Sequence, residues 1–500
     1  MKNFKKLFAV LAAIMMAFSL TATAVSADAK EWEISSDDEN HTLEVYQVFT
    51  GTAKDGKLTN LKYGENAVGE TGKAVTEEDM GKLSDIEGKT YADDQAKIAD
   101  LKEFVDFEST PVAEVTKGNP AKLPEGYYVI KDKDKTLDGS DKAGYTLFIF
   151  TALTEDLPLS LKADVPSSEK KVDDVNDSTG EEDKLQDSAD YEIGDKVPYT
   201  LTATLPSNYA DYKSYTINFI DNMSKGLTFD GNARIYFGAS DEEGTAIKFT
   251  SAASEKYDGG TKWVYEIEDL KTTAPELKAD DVITIKYEAV LNQDAVIGAL
   301  GNPNEYHIEF SNNPNQGKDG PKGQTPEDIN IVFTFKTIFN KVDGEGNPLE
   351  GADFKLEKLV NGEWVDVTTL GGNNGAHPTM TKDGNKFEFC GLDDGDYKLT
   401  ETVTPKGYNE IDPIKFTITA EHDVLSDNPA LTSLTGTDGE EFTMTPDVSA
   451  GSLEANVINE SGAKLPETGG MGTVLIYTVG GILVAAAGLM LITKKRMGAE

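Results

Sequence analysis

Three lysines, Lys162, Lys170 and Lys171, fall within LKADVPSSEKKVDD (161–174), in a chain whose formal net charge is −41. An amine attacks only after losing its proton, and a lysine at its ordinary pKa of about 10.4 has no lone pair to attack with. Removal from water disfavours the charged forms of amine and carboxyl alike, so a lysine buried beside an acid can sit with it as a neutral pair. The chemistry then open to it is acyl transfer to nitrogen, with the fold supplying proximity. On an acidic surface the same lysines are ordinarily solvated charges, so burial decides. Other reactive residues offer less. His41, His307, His377 and His422 are scattered, without an H-E-x-x-H or clustered ligand set, so neither metal nor cofactor is expected. Cys390, in FEFCGLDDGDY, alternates with Phe387 and Phe389 as a strand residue and has no histidine near it in sequence. The segment DKDKTLDGSDK around Asp132 has oxygen ligands without EF-hand spacing, a weak match to calcium chemistry.

The elements that must position such amines follow from composition and pattern. With 500 residues, 38% hydrophobic and 9% aromatic, the chain can build about three ordinary cores. Its 88 acidic against 47 basic residues, with Arg234 and Arg496 the only arginines, exclude nucleic-acid backbone binding as an expectation. Residues 1–27 read as a secretory signal: basic Lys2, Lys5 and Lys6, the apolar LFAVLAAIMMAFSL, and a small-residue cleavage site ending at Ala27. An exported chain with one cysteine forms no internal disulfide, so something else must toughen it.

Strands dominate the remainder. VPYTLTATLP alternates Val197, Tyr199, Leu201, Ala203 and Leu205 against three threonines, the two-residue period of a half-buried strand. DVITIKYEAVL, YHIEFSN, ADFKLEKL and DYKLTET behave alike, between Gly/Asn/Asp/Pro turns. The best helix candidate is 91–106, and the acidic 173–190 reads as a solvated loop. The expected fold class is all-β, as tandem immunoglobulin-like β-sandwich domains flanked by the cleaved signal peptide and a C-terminal transmembrane sorting segment. Boundaries are expected at 28–163, 164–325, 326–462 and 463–500.

The far end carries LPETGG (465–470), an apolar run at 473–493 long enough for one bilayer core, and the basic Lys494, Lys495 and Arg496. This order is similar to the sorting signal of Gram-positive surface proteins. The resemblance implies recognition of Leu465, Pro466, Glu467, Thr468 and Gly469 by a sortase, whose thiolate attacks the Thr468 carbonyl, expels Gly469 and the tail, and passes the acyl group to an amine. FNKVDGEGNPLEGADFKL, YKLTETVTPKGY and ANVINESG resemble Cna-B-type domains, and 164–325, from VPSSEKKVDD to EFSNNPN, resembles the isopeptide-forming middle domain of shaft (backbone) pilins. The first block is similar to the pilin N-terminal domain in LEVYQVFTG and LPEGYYVIKD.

That family implies an amide between a lysine on the first strand and an asparagine on the last, assisted by a buried acid. Strand parity tests the candidates independently. Lys341 shares parity with Phe335 and Phe339, Glu401 with Tyr397 and Leu399, and Asn459 with Leu453, Ala455 and Val457. In the middle block Lys170 goes with Val172, Asp221 with Ile217 and Phe219, and Asn312 with Tyr306, Ile308 and Phe310; Lys171 and Asn313 face the other way. The expected isopeptide sites are therefore Lys170–Asn312 with Asp221, and Lys341–Asn459 with Glu401. Lys162, placed where shaft pilins carry their linking lysine but without the YPK wording, is the expected acceptor of the next subunit's Thr468.

These readings imply a non-enzymatic, wall-anchored extracellular pilus subunit. Its implied partners are pilin-class and housekeeping sortases, identical subunits head to tail, minor pilins, peptidoglycan and a host or bacterial surface ligand. A monomeric wall-anchored adhesin and a tip or base minor pilin are the alternatives; a secreted hydrolase lacks any visible catalytic constellation.

Overall fold

The computed structural model describes residues 30–54, 57–90, 94–161, 164–239, 241, 243–439 and 442–462. Ala27, Lys162, Leu465, Pro466, Glu467, Thr468, Gly469 and the apolar run at 473–493 lie outside them. Among the described residues no helix is long and apolar enough to cross a membrane.

Strands in several sheets far outnumber helical residues in the described chain, in tandem immunoglobulin-like domains. The first region pairs β1 (Leu43–Lys54) with β2 (Gly126–Asp132) in a five-stranded sheet, beside a three-stranded one. Two helices, α1 (Glu77–Gly88) and α2 (Asp94–Leu101), pack Leu83, Ile86, Ile98 and Leu101 against Tyr46, Phe49 and Tyr127. The expected helix over 91–106 is thus shorter, closing in a 3-10 turn at 102–104, and α1 was not anticipated. Its start is nonetheless local chemistry: the Thr76 side chain caps the Asp79 N–H, and Glu77, Glu78 and Asp79 fill the positive first turn.

The middle region is a two-sheet sandwich. One sheet holds β3 (Ser167–Asn176), β4 (Glu181–Gln186), β6 (Lys196–Thr204) and β8 (Val282–Leu291), in the order β4–β3–β6–β8. The facing sheet includes β5 (Ser188–Asp190), β7 (Ile217–Met223) and β9 (Asn302–Ser311), with β7 beside β9. The alternation read in VPYTLTATLP is real: Val197, Tyr199, Leu201 and Ala203 of β6 are buried and join one core with Ile217, Phe219, Tyr306 and Ile308. The acidic 173–190 is a correction. Instead of a loop it forms the end of β3, a turn, β4 and β5, with Asp187, Ser188 and Asp190 buried.

The third region sets β12 (Lys386–Leu392), β10 (Phe335–Asp343) and β15 (Ser452–Asn459) in one sheet against β11 (Asp353–Val360), β13 (Gly395–Val403) and β14 (Ile414–His422) in the other. Its first and last strands, β10 and β15, are adjacent and parallel, with Lys341 in register with Val457 and Asp343 with Asn459. Phe335, Phe339, Phe387, Tyr397, Leu399 and Leu453 fill the space between the sheets.

Candidate functional site: two buried amines

Lys170 lies on β3 opposite Leu201 of β6, and nothing of it is exposed. Its chain crosses the sandwich, where Nζ donates to Asp221 Oδ2 at 2.6 Å and to the Tyr287 hydroxyl at 2.8 Å. That hydroxyl donates to the same Asp221 oxygen at 2.7 Å and accepts from Asn304 Nδ2 at 2.8 Å. One phenol therefore touches amine, acid and amide. The rings of Tyr199 and Tyr287, stacked 5.2 Å apart, wall the amine at 4.6 and 5.3 Å from their centroids. Burial pushes the Lys170 amine below its ordinary value, outweighing the upward pull of Asp221. Asp221 Oδ1 and Asn304 Oδ1 are both buried without a donor.

The amide in this cluster is Asn304, and the expected partner Asn312 is a correction. Across the β7–β9 ladder Tyr306 stands opposite Asp221 and Asn304 opposite Met223, so Asn304 is a diagonal neighbour of the acid. Asn312 lies six residues past Tyr306, about 20 Å farther along the chain. It serves the first region instead: its Nδ2 donates to Leu137 O at 2.6 Å, and its carbonyl accepts from Tyr145 N at 2.8 Å. Asn315 extends this contact through Thr146 O and Phe148 N. The signal that could have found Asn304 was present, because it shares the even parity of Tyr306, Ile308 and Phe310. Tyr287 carried no signal beyond its place on a strand. Lys171 pairs with Asp187 at 2.6 Å and Glu169 at 3.1 Å, as charge.

In the third region Lys341, Glu401 and Asn459 come together as parity requires. Lys341 and Asn459 are fully buried on β10 and β15, and Glu401 reaches Asn459 from β13 of the opposite sheet. Asn459 Nδ2 donates to Glu401 Oε1 and Oε2 at 3.0 and 3.1 Å and to Asn409 O at 2.9 Å. Lys341 Nζ donates to Val342 O at 3.0 Å and Val457 O at 2.9 Å. Burial again lowers the amine, against the upward pull of Glu401 and Asp343. Asn456, of opposite parity to Asn459 on β15, is exposed.

Other reactive groups are engaged elsewhere. Burial, helped by Glu388, pushes the Cys390 thiol up to about 12, which leaves it protonated and unreactive. Asp132 is taken by His41 Nδ1 at 2.7 Å and by Thr146, and Asp138 by the Tyr145 hydroxyl. Neither belongs to a carboxylate cluster of metal-binding size among the described residues.

With this geometry in view, residues 193–314 match the family of the Gram-positive pilin backbone subunit 2, Cna-B-like domain, and residues 335–428 that of the SpaA prealbumin-like fold domain. Residues 193–314 are thus similar to a Gram-positive pilin-backbone domain, and residues 335–428 to a prealbumin-like fold domain. A curated relative, the trypsin-resistant surface T6 protein of Streptococcus pyogenes serotype M6, is 30% identical over 270 residues, which span 50% of this chain and 44% of that protein. The chain thus spans less than half the length of the curated relative it matches. The solved T6 backbone pilin of serotype M6 Streptococcus pyogenes superposes at a TM-score of 0.53 and 18% identity, over 88% of this chain and 100% of that one. That pilin has a modular three-domain structure, and the likeness is one of fold. The full-length major pilin SpaD of Corynebacterium diphtheriae gives a TM-score of 0.48 at 15% identity, over 89% of this chain and 100% of that one.

Proposed function

We propose that the protein is the shaft subunit of a covalently polymerised surface pilus, welded internally by two isopeptide bonds, Lys170–Asn304 and Lys341–Asn459. The observation that carries this reading is the repetition, in two separate cores, of a fully buried lysine whose amine is pushed toward neutrality beside an acid and an asparagine amide. In each, the carboxyl of Asp221 or Glu401 takes the ammonium proton. The neutral amine attacks the amide carbon, the acid hydrogen-bonds the amide oxygen and returns its proton to the departing nitrogen, and ammonia leaves. The new C–N bond replaces the old one, so atoms and charge balance without a co-reactant. Each core does this once, on itself.

Between subunits, the sorting segment supplies Thr468 and the neighbouring copy supplies Lys162, joined by a sortase; attachment to peptidoglycan ends the assembly. Domain limits of 28–163, 164–325 and 326–462 belong to this reading. Each internal bond closes a loop of more than a hundred residues. By analogy with a disulfide it stabilises its domain by about 5 kcal/mol through the unfolded chain.

An intact-mass measurement tests the internal chemistry. The protein should be lighter than its sequence by two ammonia molecules, with peptide mapping locating both crosslinks; an unshifted mass refutes both. A boiled-sample gel tests the assembly. A shaft gives a high-mass ladder that Lys162→Arg abolishes, whereas a monomeric adhesin built from the same domains gives one band.

A further inference from the structure

A third buried lysine, Lys358 on β11, has a different company. Its Nζ lies 2.5 Å from Asp393 Oδ1, 3.3 Å from Asp177 Oδ2 and 3.4 Å from Glu192 Oε2. Asp177 and Glu192 come from the middle region, Lys358 and Asp393 from the third. Asp195 lies in the same carboxylate group, and Asp190 links it onward to Asp394 and to His422. His422 Nε2 is 3.4 Å from Asp190 and 3.6 Å from Asp174, while its Nδ1 meets the Ser188 hydroxyl at 2.8 Å. Neutral bonds stitch the same seam: Asp394 N to Asp190 Oδ1 at 2.8 Å, Asn176 Nδ2 to Asp394 Oδ1 at 2.8 Å, and Asp187 N to Val424 O at 2.8 Å. The phenols of Tyr191 and Tyr397 border it, donating to Asp173 O and Asp393 O.

Seven carboxylates, Asp174, Asp177, Asp190, Glu192, Asp195, Asp393 and Asp394, therefore face two basic groups, Lys358 and His422. Two cations cannot neutralise seven anions in a site mostly shut off from water, so the closed seam has to retain protons. We propose that this seam is a proton-operated joint, which holds the third domain rigidly on the middle one while protonated and releases it as protons leave.

The titration behaviour agrees in direction. Burial, with like-charged neighbours, raises Asp195 to about 8 and Asp394 to about 7. Burial also raises Asp174, to about 6. Burial alone would lower His422, but Asp174 and Asp190 outweigh it and raise the imidazolium to about 9. Lys358 also stays a cation, because Asp393 and its neighbours overcome the burial penalty. All four titrating groups bind protons more tightly in the closed seam than when solvated. Closure is thus favoured at low pH and weakens as pH rises through 6 to 9.

The proposal concerns this chain alone and stands or falls independently of the pilus reading. Its test uses spin labels at Ser251→Cys and Thr435→Cys, one on each domain, in a Cys390→Ser background. The inter-label distance distribution should be narrow at pH 6 and lose that narrowness by pH 9. Asp195→Asn with Asp394→Asn, which fixes two positions in a neutral form, should keep it narrow at pH 9. Equal widths at both pH values overturn the proposal, as does alkaline broadening that persists unchanged in the double variant. If the double variant does not accumulate, the pH series on the parent protein still decides.

Discussion

The two amine sites join different surfaces. In the middle region Lys170 belongs to one sheet, and Asp221 and Asn304 to the other, so a bond there staples the two layers of the sandwich. In the third region Lys341 and Asn459 sit on adjacent parallel strands of one sheet, and only the acid comes from the opposite layer. The middle site gathers its three groups on the hydroxyl of Tyr287. The third site does without a phenol and holds its amine on two main-chain carbonyls. What the sites share is burial of the amine beside an acid and a primary amide. What differs is the direction from which the fold brings them, so the same three groups can be gathered by more than one arrangement of strands.

The largest effect should come from Asp221→Ala. It removes the proposed proton carrier and leaves a fully buried amine short of a hydrogen-bond partner, costing roughly 1–3 kcal/mol beyond the about 5 kcal/mol of the missing bond. Intact mass should rise by the retained ammonia, and calorimetry should show the middle transition collapse. Glu401→Ala should also retain one ammonia but lower only the third domain, by about 5 kcal/mol; an equal fall in the middle domain would break the separation between the sites. The comparison sharpens with two asparagines. Asn304→Ala should retain an ammonia, whereas Asn312→Ala should keep the deficit of two ammonia molecules against its own sequence and loosen only the seat of the first region, by about 1–3 kcal/mol, read by proteolysis of that region. The smallest effect should be that of Tyr287→Phe, which should slow the middle crosslink in a pulse-chase mass experiment while the third forms at its usual rate.

Much of this was legible beforehand, for physical reasons. Side chains alternate strictly along a strand, so parity alone set Lys170, Asp221, Lys341, Glu401 and Asn459 on inward faces, and all five are buried. Parity does not say how far along its strand a group stands, which depends on the register with a distant partner. Asn304 and Asn312 are indistinguishable by that rule and are separated only by Tyr306 falling opposite Asp221. The segment 173–190 misled for a related reason. Glu181, Glu182 and Asp183 are indeed exposed, but Asp177 and Asp190 look solvated only because the groups that cover them, Lys358, Asp394 and His422, lie far away in the chain. The start of helix α1 is also written locally, in its capping Thr76 and the acidic first turn of Glu77, Glu78 and Asp79.

The parallel pairing of β10 with β15 carries one more consequence. The chain enters the third domain at one end of this pair and leaves at the other, and Lys341 and Asn459 lie near the exit. With those two side chains welded, tension entering at Phe335 runs along a few residues to Lys341, steps across, and departs at Asn459. The length from Val342 to Ile458 would then lie off the covalent path between Phe335 and Asn459. Changes of length in its exposed turns would leave that path intact.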